Sequence, residues 1–178
     1  MTSSLGATEY TLLGLIARAE HGGPVHGYDL QRQLQESSLS RVIRVESGMM
    51  YHYLKKLAAR GLITAEIASQ EGRPARHLHT LTYAGRAALD AWIAEPVATT
   101  REIRLEFLLK LWFAREDASV AARLIGGQIG VIDHHIASLE AQVAGLGADD
   151  RFGRDVLALR IGQNRAIRAW LAGLENET

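Results

Sequence analysis

The side chains with the most chemistry to offer in this chain are fixed cations. Between Arg41 and Arg86 stand eight arginines and lysines (Arg41, Arg44, Lys55, Lys56, Arg60, Arg73, Arg76, Arg86) against three acids, a local excess of five positive charges. The whole chain is neutral, with 20 basic and 20 acidic residues, so the remainder carries the opposite excess. Cations gathered on one stretch pair with phosphates rather than transfer protons. The histidines argue less. His77 and His79 share one face of an extended run, but no Cys, Asp or Glu on that run joins them, so no metal is expected. His134 and His135 are neighbours on a helix and do not share a face. Asp149, Asp150 and Asp155 lack a glycine-rich phosphate loop or a nucleophile elbow to work with, so neither an enzyme nor a cofactor is expected. The chain has no cysteine, which excludes disulfides and thiolate chemistry.

The cations need elements to hold them. Met50, Tyr53 or Leu54, and Leu57 recur at helical spacing between Ser47, which reads as an N-cap, and Gly61, which reads as a stop. On the wet side of that helix fall Ser47, Met49, Tyr51, His52, Lys55 and Lys56. Extended runs over 62–67 and 76–81 follow, parted by a turn with Gly72 and Pro74 and flanked by Arg73 and Arg76. A helix followed by a hairpin with a basic tip is the layout of a winged helix. Two helices precede it, one capped by Thr8 and running over 9–20, the other over 26–37. Thr82 caps another, from Tyr83 to about Ala94. The fold expected is mainly α (α+β), with a winged helix-turn-helix over 7–95 carrying a two-stranded wing and a helical dimerisation domain over 101–174. In that layout Ser47, Met49, Tyr51 and His52 meet base edges. Arg41, Arg44, Lys55, Lys56, Arg73, Arg76 and His77 meet phosphates or the minor groove of double-stranded DNA.

Residues 95–100 form the linker, and the second half reads as helix throughout. Ile125, Ile129, Ile132, Ile136, Leu139 and Val143 keep an alternating spacing of four and three, as do Phe152, Val156, Leu159, Gln163, Ala166 and Trp170. Two such helices leave each other partly uncovered, which points to a homodimer. Its interface is expected to use Leu108, Leu111, Trp112, Ile125, Ile129, Ile132, Ile136, Leu139, Val156, Leu159 and Trp170. Trp92, Phe107, Trp112 and Phe152 are aromatic candidates for a ligand cavity. No apolar stretch approaches 18 residues, so the protein is expected to be soluble and cytoplasmic, with no membrane partner.

Four motifs in order make the reading narrower. Leu12-Leu13-Gly14-Leu15-Ile16 and Gly23-Pro24-Val25-His26-Gly27-Tyr28-Asp29-Leu30 resemble the opening of the PadR family of transcriptional regulators. Gly48 to Leu57 with Ala59-Arg60-Gly61-Leu62-Ile63 resembles its recognition helix and first wing strand. Gly72-Arg73-Pro74-Ala75-Arg76, Leu78, Leu81-Thr82 and Ala84-Gly85-Arg86 resemble its wing and next helix. Arg104 to Ala114 resembles the start of the longer C-terminal helical region of members similar to the virulence activator AphA. The resemblance implies homodimers on palindromic operators, most often repressors, some released by a small aromatic or hydrophobic effector. An activator, or a protein-interaction module built on the helical half, is the alternative. The chain departs from the family where the wing reads His77-Leu78-His79 and where Ala58 or Ala59 replaces a usual glutamate. At His77, beside Arg76, one fixed positive charge of the family pattern is missing.

Overall fold

Leu12, Leu13, Leu15 and Ile16 are at most 1% exposed, so helix α1 (Ala7–Ala19) is sunk in a core rather than laid on one. The computed structural model describes residues 5–19, 23–68 and 76–175. The chain divides into two compact units, Met1–Ile93 with Leu108–Phe113, and Ala94–Phe107 with Ala114–Thr178. The sequence-based division at 95–100 placed all of 108–113 in the second half. Gly14 explains why that segment sits in the first. A Cβ on Gly14 would stand 2.4 Å from the Phe113 ring, so α1 and α6 (Leu108–Ala114) approach where only glycine fits.

Around α1 in the first unit lie β1 (Val25–His26), α2 (Gly27–Glu36), a 3-10 turn (Ser38–Arg41), α3 (Ser47–Ala59), β2 (Ile63–Ala68), β3 (Arg76–Leu81) and α4 (Tyr83–Ala94). The sheet is antiparallel in the order β1-β3-β2, with Val25 opposite His79 and Ile63 opposite Leu81. The expected two-stranded wing therefore has a third strand at its root. β1 is two residues long and has no period that a sequence could show. Tyr10 stacks on Trp92 at 4.6 Å between centroids, and Lys110, a residue only 2% exposed, places its ammonium 5.3 Å from the Trp92 ring centre.

A compact corner joins α3 to the wing. Gly61 takes φ +69, the Leu62 amide donates to the Leu57 carbonyl, and the Gly61 amide donates to the Ala58 carbonyl. That is a Schellman closure, which a glycine makes without strain. The Thr82 hydroxyl donates to the Gly61 carbonyl at 2.8 Å and accepts the Gly85 amide at 3.0 Å, while the Thr82 amide donates to the Leu62 carbonyl. Thr82 is thus the cap of α4. Ser47 is not the cap of α3. Glu46 holds the N-cap position without a side-chain bond, and Ser47 is the first helical residue. Thr8 likewise lies inside α1, which starts at Ala7.

The second unit is built from α5 (Thr100–Glu102), a π-helical turn (Ile103–Phe107), α7 (Ala118–Ala144) and α8 (Arg151–Glu175). Thr99 and Glu102 form a capping box. Asp117 caps α7, and hydrogen bonds from the Ser119 hydroxyl and amide and from the Val120 amide hold its carboxyl below the usual carboxylate range. Glu140 pairs with Arg165 at 2.7 Å and Asp133 with Arg168 at 3.2 Å, an inverted order that makes α7 and α8 antiparallel. Leu124, Ile125, Ile129 and Ile132 of α7 are buried, as are Leu157, Asn164 and Leu171 of α8. The apolar stripe of α8, expected in part at a dimer interface, faces out of the chain. Phe152 is 79% exposed, Leu159 64% and Trp170 39%. The expected linker is anchored. The Gln128 carboxamide accepts the Val97 amide at 2.8 Å and donates to the Val97 carbonyl at 3.0 Å. Among the described residues no helix is long and apolar enough to cross a membrane.

Candidate nucleic-acid interface

Met50, Leu54 and Leu57 root α3 in the first unit, and each is at most 2% exposed. Helical geometry then turns Ser47, Met49, Tyr51, His52 and Lys55 outward, and all five are exposed. Arg41 and Arg44, on the segment that leads into α3, are exposed too. Helix α2 fixes the pose of α3 in two ways. Gln31 Nε2 donates to Ser47 Oγ, and Gly27 leaves room for the Tyr51 ring, which a Cβ there would meet at 3.1 Å. Gln31 was not anticipated from the sequence, since a glutamine on a wet helix face carries no distinguishing signal.

Lys56 departs from its expected place among the phosphate contacts. Its ammonium lies 3.1 Å from Glu9 Oε1 of α1, and the Glu9 side chain is only 4% exposed. A carboxylate that deep needs a counter-charge, and Lys56 supplies one. Arg73 lies outside the described residues. Arg76 stands in β3 opposite Ala68. His77 is exposed, its ring 6.5 Å from that of His79. His79 is 5% exposed and its Nδ1 has no hydrogen-bond partner among the described residues. Burial pushes the His79 imidazole below its ordinary value, and the charges of His77 and His26 add to this against an opposing backbone hydrogen bond at Thr64. His26 Nδ1 lies 3.4 Å from the His77 carbonyl. Among the described residues no three His, Asp or Glu side chains gather to hold a metal.

The other predicted residues scatter. Leu111 is 5% exposed within the first unit. Leu108 and Trp112 are half-buried there. Ile125, Ile129 and Ile132 are buried in the chain itself, which leaves Ile136, Leu139, Val156, Leu159 and Trp170 as the dimerisation candidates with free surface. Of the aromatic ligand candidates, Trp92 and Phe107 are core, at 6% and 0% exposure, and Phe152 is bare on α8. Trp112 lines a cleft of about 390 Å³ with Leu15, Arg18, Gln33 and Ser37. The Arg18 guanidinium lies 4.6 Å from the Trp112 ring centre, and Trp112 Nε1 donates to Ser38 Oγ at 3.0 Å.

A short helix packed under an outward helix, followed by a strand pair, defines a winged helix-turn-helix. Residues 12–91 match the Transcriptional regulator PadR-like family. The chain is 29% identical over 115 residues to the Negative transcriptional regulator PadR of Bacillus subtilis, covering 62% of this chain and 60% of that protein. It is 28% identical over 123 residues to the Probable transcriptional regulator Rv1176c of Mycobacterium tuberculosis, covering 69% and 60%. The chain thus spans about 60% of the length of the curated relatives it matches. Among solved structures, Bacillus subtilis PadR in complex with operator DNA aligns over 98% of this chain and 99% of its own, at 22% identity and a TM-score of 0.49. The Vibrio cholerae virulence activator AphA aligns over 93% and 96%, at 21% identity and a TM-score of 0.38.

Proposed function

We propose that this chain is a cytoplasmic, homodimeric, sequence-specific DNA-binding repressor that a small aromatic or hydrophobic effector releases from its operator. The observation that carries the reading is the outward face of α3. Ser47, Met49, Tyr51 and His52 occupy its first turns, with Lys55 behind them and Arg41 and Arg44 beside them, all exposed. The first turns of such a helix enter the major groove, and the flanking cations meet phosphates. The family match over residues 12–91 supports the regulatory role, and the relative named a negative regulator supports repression. The bare α8 stripe of Phe152, Leu159 and Trp170 supports a second copy as the dimer partner, and two copies match a palindromic operator. The Trp112 cleft, with an aromatic wall and the Arg18 cation, supports a site for an aromatic acid.

The test is fluorescence anisotropy with the DNA immediately upstream of this protein's own coding region, at two salt concentrations, beside a scrambled duplex. Tight binding that favours the native fragment at two chains per site is the expected result. Equal weak binding to both duplexes removes the self-repression but keeps the DNA-binding surface. No binding at low salt overturns the reading and leaves the helical half as a protein-interaction module.

A further inference from the structure

The second unit has a groove of about 980 Å³ framed by residues 98–104, α7 and α8. Arg101, Arg104 and Arg160 line it, and no Asp or Glu does. Among the described residues none of these three guanidinium groups is in an ion pair, whereas Arg165 and Arg168 on the same helix as Arg160 are paired. Fixed, unpaired guanidinium groups converging on one concavity suit an oxyanion, because their planar fork matches carboxylate and phosphate oxygens. A second observation is independent of charge. Asn164, 4% exposed, also lines the groove, and its Nδ2 donates to the Arg160 carbonyl at 2.8 Å. That bond fixes which end of the carboxamide is which, and it leaves Oδ1 buried without a donor. A buried acceptor left unpaired is costly, and a small shift of the Asn164 side chain toward the groove would let a donor from outside the chain satisfy it. Ile103 and Leu139 supply apolar wall beside these polar groups.

We propose that this groove binds a small organic polyanion that carries carboxylate or phosphate groups together with a hydroxyl. The anionic groups meet Arg101, Arg104 and Arg160, and the hydroxyl donates to Asn164 Oδ1. The site is separate from the Trp112 cleft. It stands on the second unit alone, whether or not α3 reads DNA. A second copy laid along the exposed α8 stripe would border this groove, since Gln163 and Ala166 belong to both.

Calorimetry on the full chain at constant ionic strength tests it, with citrate as a hydroxylated tricarboxylate, tricarballylate as the same acid without the hydroxyl, and pyrophosphate for the phosphate class. One citrate or one pyrophosphate per chain is expected, and which of the two binds identifies the anionic group. If citrate binds, tricarballylate binds about tenfold weaker and N164L erases that preference. R104Q and R160Q each weaken binding about tenfold or more while thermal unfolding and oligomeric state stay unchanged. Three results overturn the proposal. They are no binding of either anion at millimolar concentration, binding indifferent to R104Q and R160Q, and a loss of chain–chain association in those variants without any added anion, which would make the groove a protein contact.

Discussion

Lys56 Nζ stands 3.1 Å from Glu9 Oε1, joining the last turn of the outward helix α3 to the buried start of α1. The ammonium approaches off the line of a hydrogen bond, so the contact is charge pairing. Glu9 Oε2 accepts the Gly6 amide at 2.8 Å. Lys56 is thereby separated from its neighbour Lys55, which is exposed on α3. K56M leaves a buried carboxylate unpaired and should cost about 1–2 kcal/mol, below the figure for a fully buried pair because the lysine is half-exposed. K55M should leave stability unchanged and lower the salt slope of DNA binding by about one unit. Thermal unfolding and anisotropy titrations of the two variants separate the roles, and equal effects on unfolding refute the assignment. Adding E9Q to K56M should recover most of the loss.

Acid should weaken the wing root. Folding buries His79 and holds its imidazole below the ordinary value of 6.5, so the unfolded chain takes up a proton that the folded chain resists. The stability this group allows is full above about 6.5 and is lost as pH falls from there toward the depressed folded-state value. Urea midpoints between pH 5 and 8 should fall on the acid side, and H79L should flatten that fall. An acid side unaltered by H79L would assign the proton to other groups.

Two glycines should respond in opposite directions to one methyl group. A Cβ on Gly85 would stand 2.0 Å from the Leu62 carbonyl oxygen, and backbone there cannot yield. G85A should cost about 3 kcal/mol or more, in the range reserved for forced repacking. Gly130 lies in α7 with open space around it. G130A should stabilise by about 1 kcal/mol through helix propensity. Unfolding midpoints decide, and a tolerated G85A would disprove the close approach.

The α8 stripe should hold the dimer. Phe152, Leu159 and Trp170 are exposed, while α8 uses Leu157, Asn164 and Leu171 toward the chain's own core. F152S/L159S should leave helix content intact, yield a monomer by light scattering, and weaken operator binding by at least tenfold through loss of the second half-site. A double variant that remains dimeric would move the interface elsewhere.

Some of this was legible in residue order and some was not. The corner at Gly61 and Thr82 was, because a glycine stop and a threonine cap act within a few residues of themselves. The root of α3 was also, since Met50, Leu54 and Leu57 keep helical spacing. Strand β1 was hidden because two residues have no period. The stripe on α8 was visible, but which stripe a helix turns inward depends on its neighbour. Asn164 sits in the buried stripe, and a polar residue there masks the pattern. Gln128 is the same case on α7, an amide among buried aliphatics that holds Val97. Ion pairs such as Glu9–Lys56 join positions far apart in the chain, which no local spacing announces.

The corner where α3 ends has a kinetic meaning for whatever docks there. The Leu57–Leu62 closure, the Thr82 bonds and the Gly85 contact tie the end of one helix, both strand roots and the start of the next helix to a single point. On the DNA-binding reading proposed above, an incoming duplex would meet this corner already formed, with only side chains there left to be ordered on contact. Encounter at the corner would then be governed by orientation and by the charge field, with no folding step of the corner in series.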